Sequence, residues 1–514
     1  MNTSLNRKTE YLFLAAIFAA ALFSRLWQFG LIPGDINQDE AFAGYEAWAI
    51  MNYGVDSSLH PWPVYLTAWG SGMNVLESLM MMPFIALFGL RTWVIRLPQL
   101  IVGLLSIAAA YGIGRRTGGE RFGLLFALLL AVCPWHILLC RWGLESNLAP
   151  GFLLFGLYFF IRGTEDSRFL CLSALMYGLS LYSYATIWPV LPVILLLQLV
   201  YAASLKKLRA DRYLLISALI LAVLALPLML FMLINSGYMD ELVLPWISIP
   251  KLLVSRSGEV SFRHIGANLL NALSILLRRS DGLIWNSPER FGVFYILSLP
   301  LMLLGLISCV ADFCRSLKKR EFCPSALFLI QLLGGVLLCA MVNVNLNRMN
   351  ILLMPLSYFE AAGPEKIFSV GLRRLGALVC AAYFVLFCCF EAYYFTDYAK
   401  RVRFDFSYGF EDALDAALKE NSRDTVYISA DVHYPKVLFY TETPPEEFSA
   451  SVEYNAYPAA YLSAKSFSRF RFDPDVSAPD ADAIYILRRG CDISAFVSAG
   501  FSIEVYGDYY LLLR

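Results

Sequence analysis

The chain has 514 residues, of which 58% are hydrophobic and only 16% are charged. This composition excludes an ordinary soluble domain and is typical of a polytopic membrane protein. The 41 basic residues balance the 41 acidic ones, so the net charge gives no indication of a nucleic-acid partner. Most of the 11 cysteines lie in apolar runs without CxxC or Cys/His spacing, which argues against a disulfide framework and a structural zinc site.

The first apolar run, residues 11–31, is long enough to cross a bilayer as a helix. Arg7 and Lys8 precede it, but no small-residue cleavage site follows, so we predict a retained anchor. The acidic pair Asp39-Glu40 comes shortly after this run. Two adjacent carboxylates at a membrane interface are costly to hold. They belong either to a solvated loop or to a general base beside a membrane-anchored substrate.

Basic clusters separate the later apolar runs, and the positive-inside rule makes these clusters cytoplasmic. We therefore predict eleven membrane spans, with the N-terminus inside and the C-terminus outside, at residues 11–31, 93–114, 122–140, 148–161, 169–185, 187–205, 213–234, 291–313, 324–342, 351–363 and 375–395. The apolar run 73–90 is not counted, because a span there would place the later arginine clusters outside. We predict an amphipathic or re-entrant helix on the outer surface instead.

The C-terminal part of the chain has a different pattern. Helix-like stretches at 412–420 and 434–440 alternate with strand-like stretches at 425–429, 483–487 and 502–513. The sequence therefore predicts an all-α polytopic membrane domain over residues 1–395, with external loops 32–92 and 235–290. A small extracytoplasmic α/β domain over residues 396–514 follows it.

Polar residues at two predicted outer turns are candidates for chemistry. The stretch after Asp39-Glu40 is helix-like, which would hold both carboxylates at a helix N-terminus. The short turn 140–147 contains Arg141 and Glu145. These two residues form either a structural salt bridge or part of a site.

Cations on the same predicted face are candidates for binding an anion. Arg348 opens a span at its outer end, where the positive-inside rule gives it no topological role. A phosphate or carboxylate is its natural partner, and a contact with bulk lipid headgroups is the alternative. Arg263 and His264 lie in the loop 235–290, and for them the alternative is a solvated loop.

A spaced series of residues runs from the start of the second predicted span, along the third, to the turn after it: Ile95-Arg96-Leu97-Pro98, Gly112, Gly114-Arg115-Arg116, Gly119, Arg121-Phe122-Gly123-Leu124-Leu125, Leu128-Leu129-Leu130-Ala131, Pro134, His136 and Arg141. With an acidic pair after the first span and an acidic residue after the third, this series resembles the GT-C superfamily of glycosyltransferases. The most similar branch contains the protein O-mannosyltransferases and the lipid A aminoarabinose transferases. The resemblance covers roughly residues 10–365, and the C-terminal part resembles no family that we can name.

The resemblance implies inverting transfer of a sugar from a polyprenyl-phosphate donor to a protein, lipid or glycan acceptor, on the outer face of the cell membrane. It makes Asp39 the general base that deprotonates or orients the acceptor nucleophile. Glu40 would position Asp39 or help to bind the acceptor. Glu145 takes the position where the family usually has aspartate, so its longer side chain leaves its contact open.

The resemblance also implies groups that hold the leaving phosphate, for which Arg348, Arg263 and Arg141 are the candidates. Some relatives place a divalent metal near this site, although the cofactor of this chain is unknown. The candidate ligands are His60, Glu77 and His264, but no spacing demonstrates a metal site.

The proposed chemistry is consistent without the resemblance. A sugar on phosphate already carries a leaving group, so catalysis needs a base for the acceptor and cations for the departing anion. No Gly-rich phosphate loop is present, which disfavours a sugar-nucleotide donor. The alternatives are a lipid-carrier flippase or transporter, and a non-catalytic assembly protein for surface polysaccharide. The first should show repeats and charged or broken helices near the bilayer midplane.

Overall fold

The computed structural model describes residues 6–255, 260–420 and 425–514. Contacts within the chain divide it into two compact units. We call the first the helical unit, which contains Met1–Trp27, Gln99–Pro227 and Ser257–Thr396. We call the second the mixed unit, which contains Gln28–Pro98, Leu228–Arg256 and Asp397–Arg514.

Helices make up most of the described chain. In chain order, those before the C-terminal segment are α1 (Arg7–Leu26), α2 (Gln38–Tyr53), α3 (Leu76–Phe88), α4 (Thr92–Ile95), α5 (Leu97–Gly118), α6 (Glu120–Val132), α7 (Pro134–Leu139), α8 (Glu145–Gly163), α9 (Arg168–Ser180), α10 (Leu191–Ser204), α11 (Arg212–Asn235), α12 (Ile265–Arg278), α13 (Ser298–Lys319), α14 (Ser325–Met341), α15 (Asn350–Ser369) and α16 (Arg373–Tyr393). The C-terminal segment adds α17 (Ala399–Val402), α18 (Phe410–Lys419), α19 (Tyr434–Thr441), α20 (Pro445–Ser451) and α21 (Ser494–Ser498).

Among the described residues, five helical stretches are long and apolar enough to cross a membrane: Arg7–Leu26, Thr92–Gly118, Arg212–Asn235, Ser298–Lys319 and Arg373–Phe406. Shorter apolar helices of 10–17 residues include α9, α10, α12 and α14. The predicted helices that match most closely are α11 and α14, whose ends lie one residue from those expected. Within the run 73–90, residues Leu76–Phe88 form a helix, α3.

Two of the predicted segments that differ from the structure are 122–140 and 235–290. The predicted span 122–140 is two helices, α6 and α7, because Cys133 between them has an extended backbone. A residue before proline is pushed out of the helical region, and Pro134 follows Cys133. The predicted long loop 235–290 contains a β-hairpin and α12 rather than irregular chain alone.

The helical unit packs around α15, which contacts α6, α8, α13, α14 and α16. Glycines permit the closest of these crossings. A Cβ on Gly305 of α13 would lie 1.8 Å from the carbonyl oxygen of Phe359, and one on Gly363 would lie 2.5 Å from that of Leu301. Small residues at helix interfaces allow such close backbone approach in membrane proteins.

In its described residues, the mixed unit contains two separate two-stranded hairpins and one large, seven-stranded sheet. The hairpins pair β1 (Tyr65–Leu66) with β2 (Met73–Asn74) and β3 (Leu242–Leu244) with β4 (Ile247–Ile249). The strands of the large sheet are β5 (Thr425–Ile428), β6 (Glu453–Tyr454), β7 (Ala464–Phe467), β8 (Phe470–Phe472), β9 (Ala483–Arg488), β10 (Ser502–Tyr506) and β11 (Tyr509–Leu513). Their order across the sheet is β10-β11-β9-β5-β8-β7-β6.

The centre of this sheet explains why the C-terminal strands could be predicted. β5 runs parallel to both of its neighbours, with Thr425 opposite Ala483 of β9 and Val426 opposite Phe470 of β8. Strands buried on both faces read as continuous apolar runs, and the first five residues of β9 are all buried. The predicted helices at 412–420 and 434–440 are α18 and α19, so the α/β character of this segment is confirmed.

Candidate active site

The acidic pair lies in the first turn of α2, in the mixed unit. Asn37 caps the helix: its side-chain oxygen accepts from the backbone N–H of Asp39 at 3.0 Å. The Glu40 carboxylate accepts from the backbone N–H of Asn37 at 3.0 Å, which completes a capping box. The predicted placement of both carboxylates at a helix N-terminus is therefore confirmed. Negative charge is favoured there because the unpaired N–H groups carry partial positive charge.

Glu40 is fully buried and forms an ion pair with Arg96, which is also fully buried. Arg96 donates from Nε to Oε1 at 2.7 Å and from Nη2 to Oε2 at 2.9 Å. The same guanidinium donates to the backbone carbonyls of Gly30, Gly34 and Asp35. This two-point pair fixes the chain that leads into α2. Of the two roles that the sequence left open for Glu40, its contacts favour positioning.

Asp39 is partly exposed, and its carboxylate contacts an aromatic side chain. The indole Nε1–H of Trp69 donates to Oδ1 of Asp39 at 3.2 Å. Trp69 has a left-handed backbone, with φ of 59°, in the turn between β1 and β2. Bulky residues rarely adopt this conformation, and such strain persists only where the surroundings hold it.

The surroundings of Trp69 come largely from the C-terminal segment. The ring of Tyr461 stacks on the indole, with centroids 4.6 Å apart and planes 9° from parallel. His433 meets both rings edge-on, at 6.0 Å from Trp69 and 5.5 Å from Tyr461. Burial lowers the pKa of His433 to about 4, so this imidazole is neutral at physiological pH. Asp39 thus sits beside an aromatic cluster with uncharged rings.

A second group of charges lies near the entry of α2. Oδ2 of Asp35 accepts from the backbone N–H of Gly409 at 2.7 Å. Burial raises the pKa of Asp35 to about 6, and the charge of Asp412 adds to this effect. Lys436 of α19 is buried and donates to the hydroxyl of Ser407 at 2.5 Å. Burial lowers the pKa of this lysine to about 8. Nothing in the sequence pattern pointed to these groups.

Arg141 and Glu145 belong to the helical unit. Arg141 is fully buried and donates to the carbonyl of Ser24 and to that of Trp27, each at 2.9 Å. The guanidinium also lies over the ring of Tyr394. Glu145 is the first residue of α8 and is partly exposed. Arg141 thus stabilises the end of α1, and phosphate binding by this residue stays a prediction.

Arg348, Arg263 and His264 also belong to the helical unit. Arg348 is half-buried before α15, and its Nη1 donates to the carbonyl of Asn343 at 3.1 Å. Its backbone N–H donates to the side chain of Asn345 at 2.9 Å. Arg263 and His264 are exposed at the start of α12. Their predicted roles toward a phosphate or a metal stay predictions.

Comparison with known proteins addresses the fold. Residues 75–231 match the family model described as dolichyl-phosphate-mannose-protein mannosyltransferase. The apo structure of ArnT from Cupriavidus metallidurans is 13% identical, with a TM-score of 0.53, and the match covers 98% of this chain and 97% of ArnT. For ArnT bound to undecaprenyl phosphate, the identity is 12%, the TM-score is 0.56, and the coverage is 99% and 98%. The chain has the GT-C fold.

One further structure is that of the apo oligosaccharyltransferase from Archaeoglobus fulgidus. It is 16% identical with a TM-score of 0.49, and the match covers 85% of this chain and 64% of that chain. A search of curated proteins gave no match. The predicted fold class, a mostly helical GT-C protein with a sheet-containing C-terminal region, is confirmed.

The candidate metal ligands do not form a ligand set among the described residues. His60 lies between two carboxylates, 3.6 Å from Asp56 and 3.7 Å from Glu241. Glu77 is buried in α3, and His264 lies in the other unit. Among the residues that the structure describes, no group of three His, Cys, Asp or Glu side chains could hold a metal ion. We therefore derive no catalytic step through a metal.

Among the residues around the acidic pair that the sequence did not assign are Arg96, Trp69 and Tyr461. Arg96 had a signal, because an arginine within an apolar stretch requires a buried partner. Trp69 had a weaker one, since it is followed by Gly70 and Gly72, which both have positive φ. Tyr461 had none. It reaches Trp69 through the fold of the C-terminal segment.

Proposed function

We propose that this GT-C chain transfers a sugar, with inversion, from a polyprenyl-phosphate donor to an acceptor at the outer face of the cell membrane. The observation that carries the proposal is the geometry of Asp39. It is a partly exposed carboxylate in the first turn of α2, anchored by its buried neighbour Glu40 and contacted by Trp69. The fold similarity to ArnT bound to undecaprenyl phosphate supports the donor class. The matched mannosyltransferase family model supports the reaction class.

The reaction divides naturally between a base and an anion site. Asp39 accepts the proton of the acceptor nucleophile as that atom attacks the anomeric carbon of the sugar. The bond from this carbon to the phosphate oxygen breaks on the opposite face, which inverts the configuration. The polyprenyl phosphate leaves as an anion, and the proton passes from Asp39 to solvent.

The leaving phosphate needs cations at the membrane surface. Arg348 is our first candidate, because it is half-buried and its guanidinium is held by the carbonyl of Asn343. Arginine forms bidentate bonds to phosphate oxygens. Arg263 is the second candidate. Glu145 lies in the position where the resemblance implies an aspartate, and we propose a catalytic role for it on that ground.

The topology belongs to the same proposal. The positive-inside pattern supports an outer location for residues 32–92, 235–290 and 396–514. Stretches from all three regions contribute to the mixed unit, which contains Asp39. An outer location gives Asp39 access to a donor whose polyprenyl tail remains in the bilayer.

Asp39→Asn tests the proposed base. Purified protein in lipid nanodiscs is supplied with polyprenyl-phosphate sugars and candidate acceptors, and release of polyprenyl phosphate is measured. We expect the variant to lose about 10²-fold or more in rate while its thermal unfolding midpoint is unchanged. Asp475→Asn is a matched control, because Asp475 is exposed in the same unit and bonds to Ser477.

Mass spectrometry of surface glycans and glycoproteins, with and without the chain, identifies the sugar and the acceptor. A missing hexose or pentose is the expected result. Full activity in Asp39→Asn would remove Asp39 from the mechanism. Movement of the lipid carrier across the bilayer without sugar transfer would favour a flippase instead.

A further inference from the structure

We infer that Trp69 is a positioning residue for Asp39 and that the C-terminal segment holds Trp69 in that position through Tyr461. The inference rests on the proposed function for its catalytic meaning, because Asp39 is the proposed base. The contact itself rests on the structure alone. It gives the C-terminal α/β segment, in which the sequence shows no catalytic motif, a direct part in the active site.

The indole of Trp69 contacts the carboxylate of Asp39. An N–H···O distance of 3.2 Å is within the range of a hydrogen bond. The indole N–H can only donate, so it fixes one oxygen of Asp39 and with it the plane of the carboxylate. A hydrogen bond to the charged form also keeps a carboxyl ionised. An ionised, oriented carboxylate is what a general base requires.

A strained backbone directs the indole of Trp69 toward Asp39. The left-handed φ of Trp69 is followed by Gly70, with φ of +85°. A Cβ on Gly70 would lie 2.4 Å from the carbonyl oxygen of Ala459, so the C-terminal segment presses directly on this turn. The carbonyl of Trp69 accepts from the backbone N–H of Leu462 at 2.8 Å. These contacts hold a conformation that the turn would not adopt alone.

Tyr461 clamps the indole of Trp69. Its ring stacks on the indole with centroids 4.6 Å apart and planes 9° from parallel, so it holds the plane of the indole that donates to Asp39. His433 meets both aromatic rings edge-on and limits their rotation.

The test measures the state of Asp39 directly, without donor or acceptor. A water-soluble carbodiimide with glycine ethyl ester modifies protonated carboxyl groups, and peptide mass spectrometry reports the modification of Asp39 against pH. Trp69→Phe keeps an aromatic ring and removes the N–H donor. We expect its labelling midpoint to move upward by about half a pH unit or more, since the charged form loses a hydrogen bond. Trp246→Phe is the matched control, because Trp246 is exposed on the β3–β4 hairpin.

A second variant covers the case in which Trp69→Phe does not fold. Tyr461→Leu removes the clamp from a residue that is 40% exposed, where substitution is tolerated. We expect the same upward movement, because the indole is released. Tyr461→Phe keeps the ring and should behave more like the wild type than Tyr461→Leu does. The inference is overturned if the labelling midpoint of Asp39 is unchanged in both Trp69→Phe and Tyr461→Leu, or in the one of them that folds.

Activity then separates this inference from the proposed function. In the transfer assay, Trp69→Phe should reduce kcat about tenfold with little change in the KM of the donor, and should move the acidic limb of the pH–rate profile upward. A purely structural role would leave that limb in place. If the wild type transfers no sugar but the labelling midpoint moves, the function fails and the positioning stands. If Asp39→Asn abolishes transfer and no midpoint moves, the positioning fails and the function stands.

Discussion

Glu40 and Arg96 illustrate how two neighbouring carboxylates come to have different tasks. Asp39 is partly exposed beside Trp69, whereas Glu40 is fully buried in a two-point pair with Arg96. A buried charge that loses its partner keeps its desolvation cost without compensation. The pair should therefore matter for stability, and Asp39 for rate.

Glu40→Gln tests this division. We expect a loss of about 3–5 kcal/mol in the free energy of unfolding, because the buried guanidinium of Arg96 is left without a counter-charge. The thermal unfolding midpoint of the detergent-purified protein measures it, with Asp39→Asn as the neighbouring control. A midpoint equal to that of the wild type would mean that the carbonyls of Gly30, Gly34 and Asp35 suffice to hold Arg96.

Asp35 gives the mixed unit a pH-dependent stability. Burial raises its pKa from 3.8 to about 6, so between these values the folded state holds a proton that the unfolded state releases. Its stabilising contribution is therefore complete below about pH 4 and is lost as the pH rises through 6. Asp35→Asn should be more stable than the wild type at pH 7.5, by roughly 3 kcal/mol, and nearly equal to it near pH 4.

Thermal unfolding midpoints of Asp35→Asn and of the wild type, measured between pH 4 and 7.5, test this prediction. The asparagine oxygen can still accept from the N–H of Gly409, so the variant removes the charge and keeps the hydrogen bond. Asp475→Asn again serves as the control. A stability difference that does not vary between pH 4 and 7.5 would show that Asp35 does not titrate in this range.

At the scale of elements, the sequence predicts those helices and strands that a local pattern of apolar residues determines. Apolar runs located α11 and α14, and alternating or continuous apolar stretches located β5 and β9, because burial of one face or of a whole strand leaves a periodic trace. The helix that begins beside Asp39, α2, was also predicted.

Some helices and strands were missed because contacts between distant segments, rather than a local pattern, determine them. The stretch 235–290 is rich in polar residues and reads as a loop, yet β3 pairs with β4 and α12 forms within it. The partners of the acidic pair were missed as well. Trp69 and Tyr461 reach Asp39 through turns and packing between distant segments, which leave no periodic pattern.

At the scale of the whole molecule, three separated stretches build the mixed unit. The C-terminal stretch reaches the first one at several points: Tyr45 donates to the carbonyl of Thr443 at 2.7 Å, and the N–H of Ile36 donates to the carbonyl of Phe406 at 3.0 Å. A Cβ on Gly44 of α2 would lie 2.8 Å from the ring of Phe439. These contacts bury apolar surface of α2 that the first stretch cannot cover alone.

A chain that ends at Thr396 should therefore lose the structure of residues 28–98. Its α2 would expose Phe42 and Tyr45, which are 2% and 0% exposed in the full chain, and exposed apolar surface of this kind does not stay ordered in water. Limited proteolysis followed by mass spectrometry should find new cleavage sites between residues 28 and 98, and transfer should be abolished. The full-length protein under the same digestion is the control. If residues 28–98 stay protected in the shortened chain, the first stretch folds by itself, and the C-terminal segment acts on Asp39 only through Trp69.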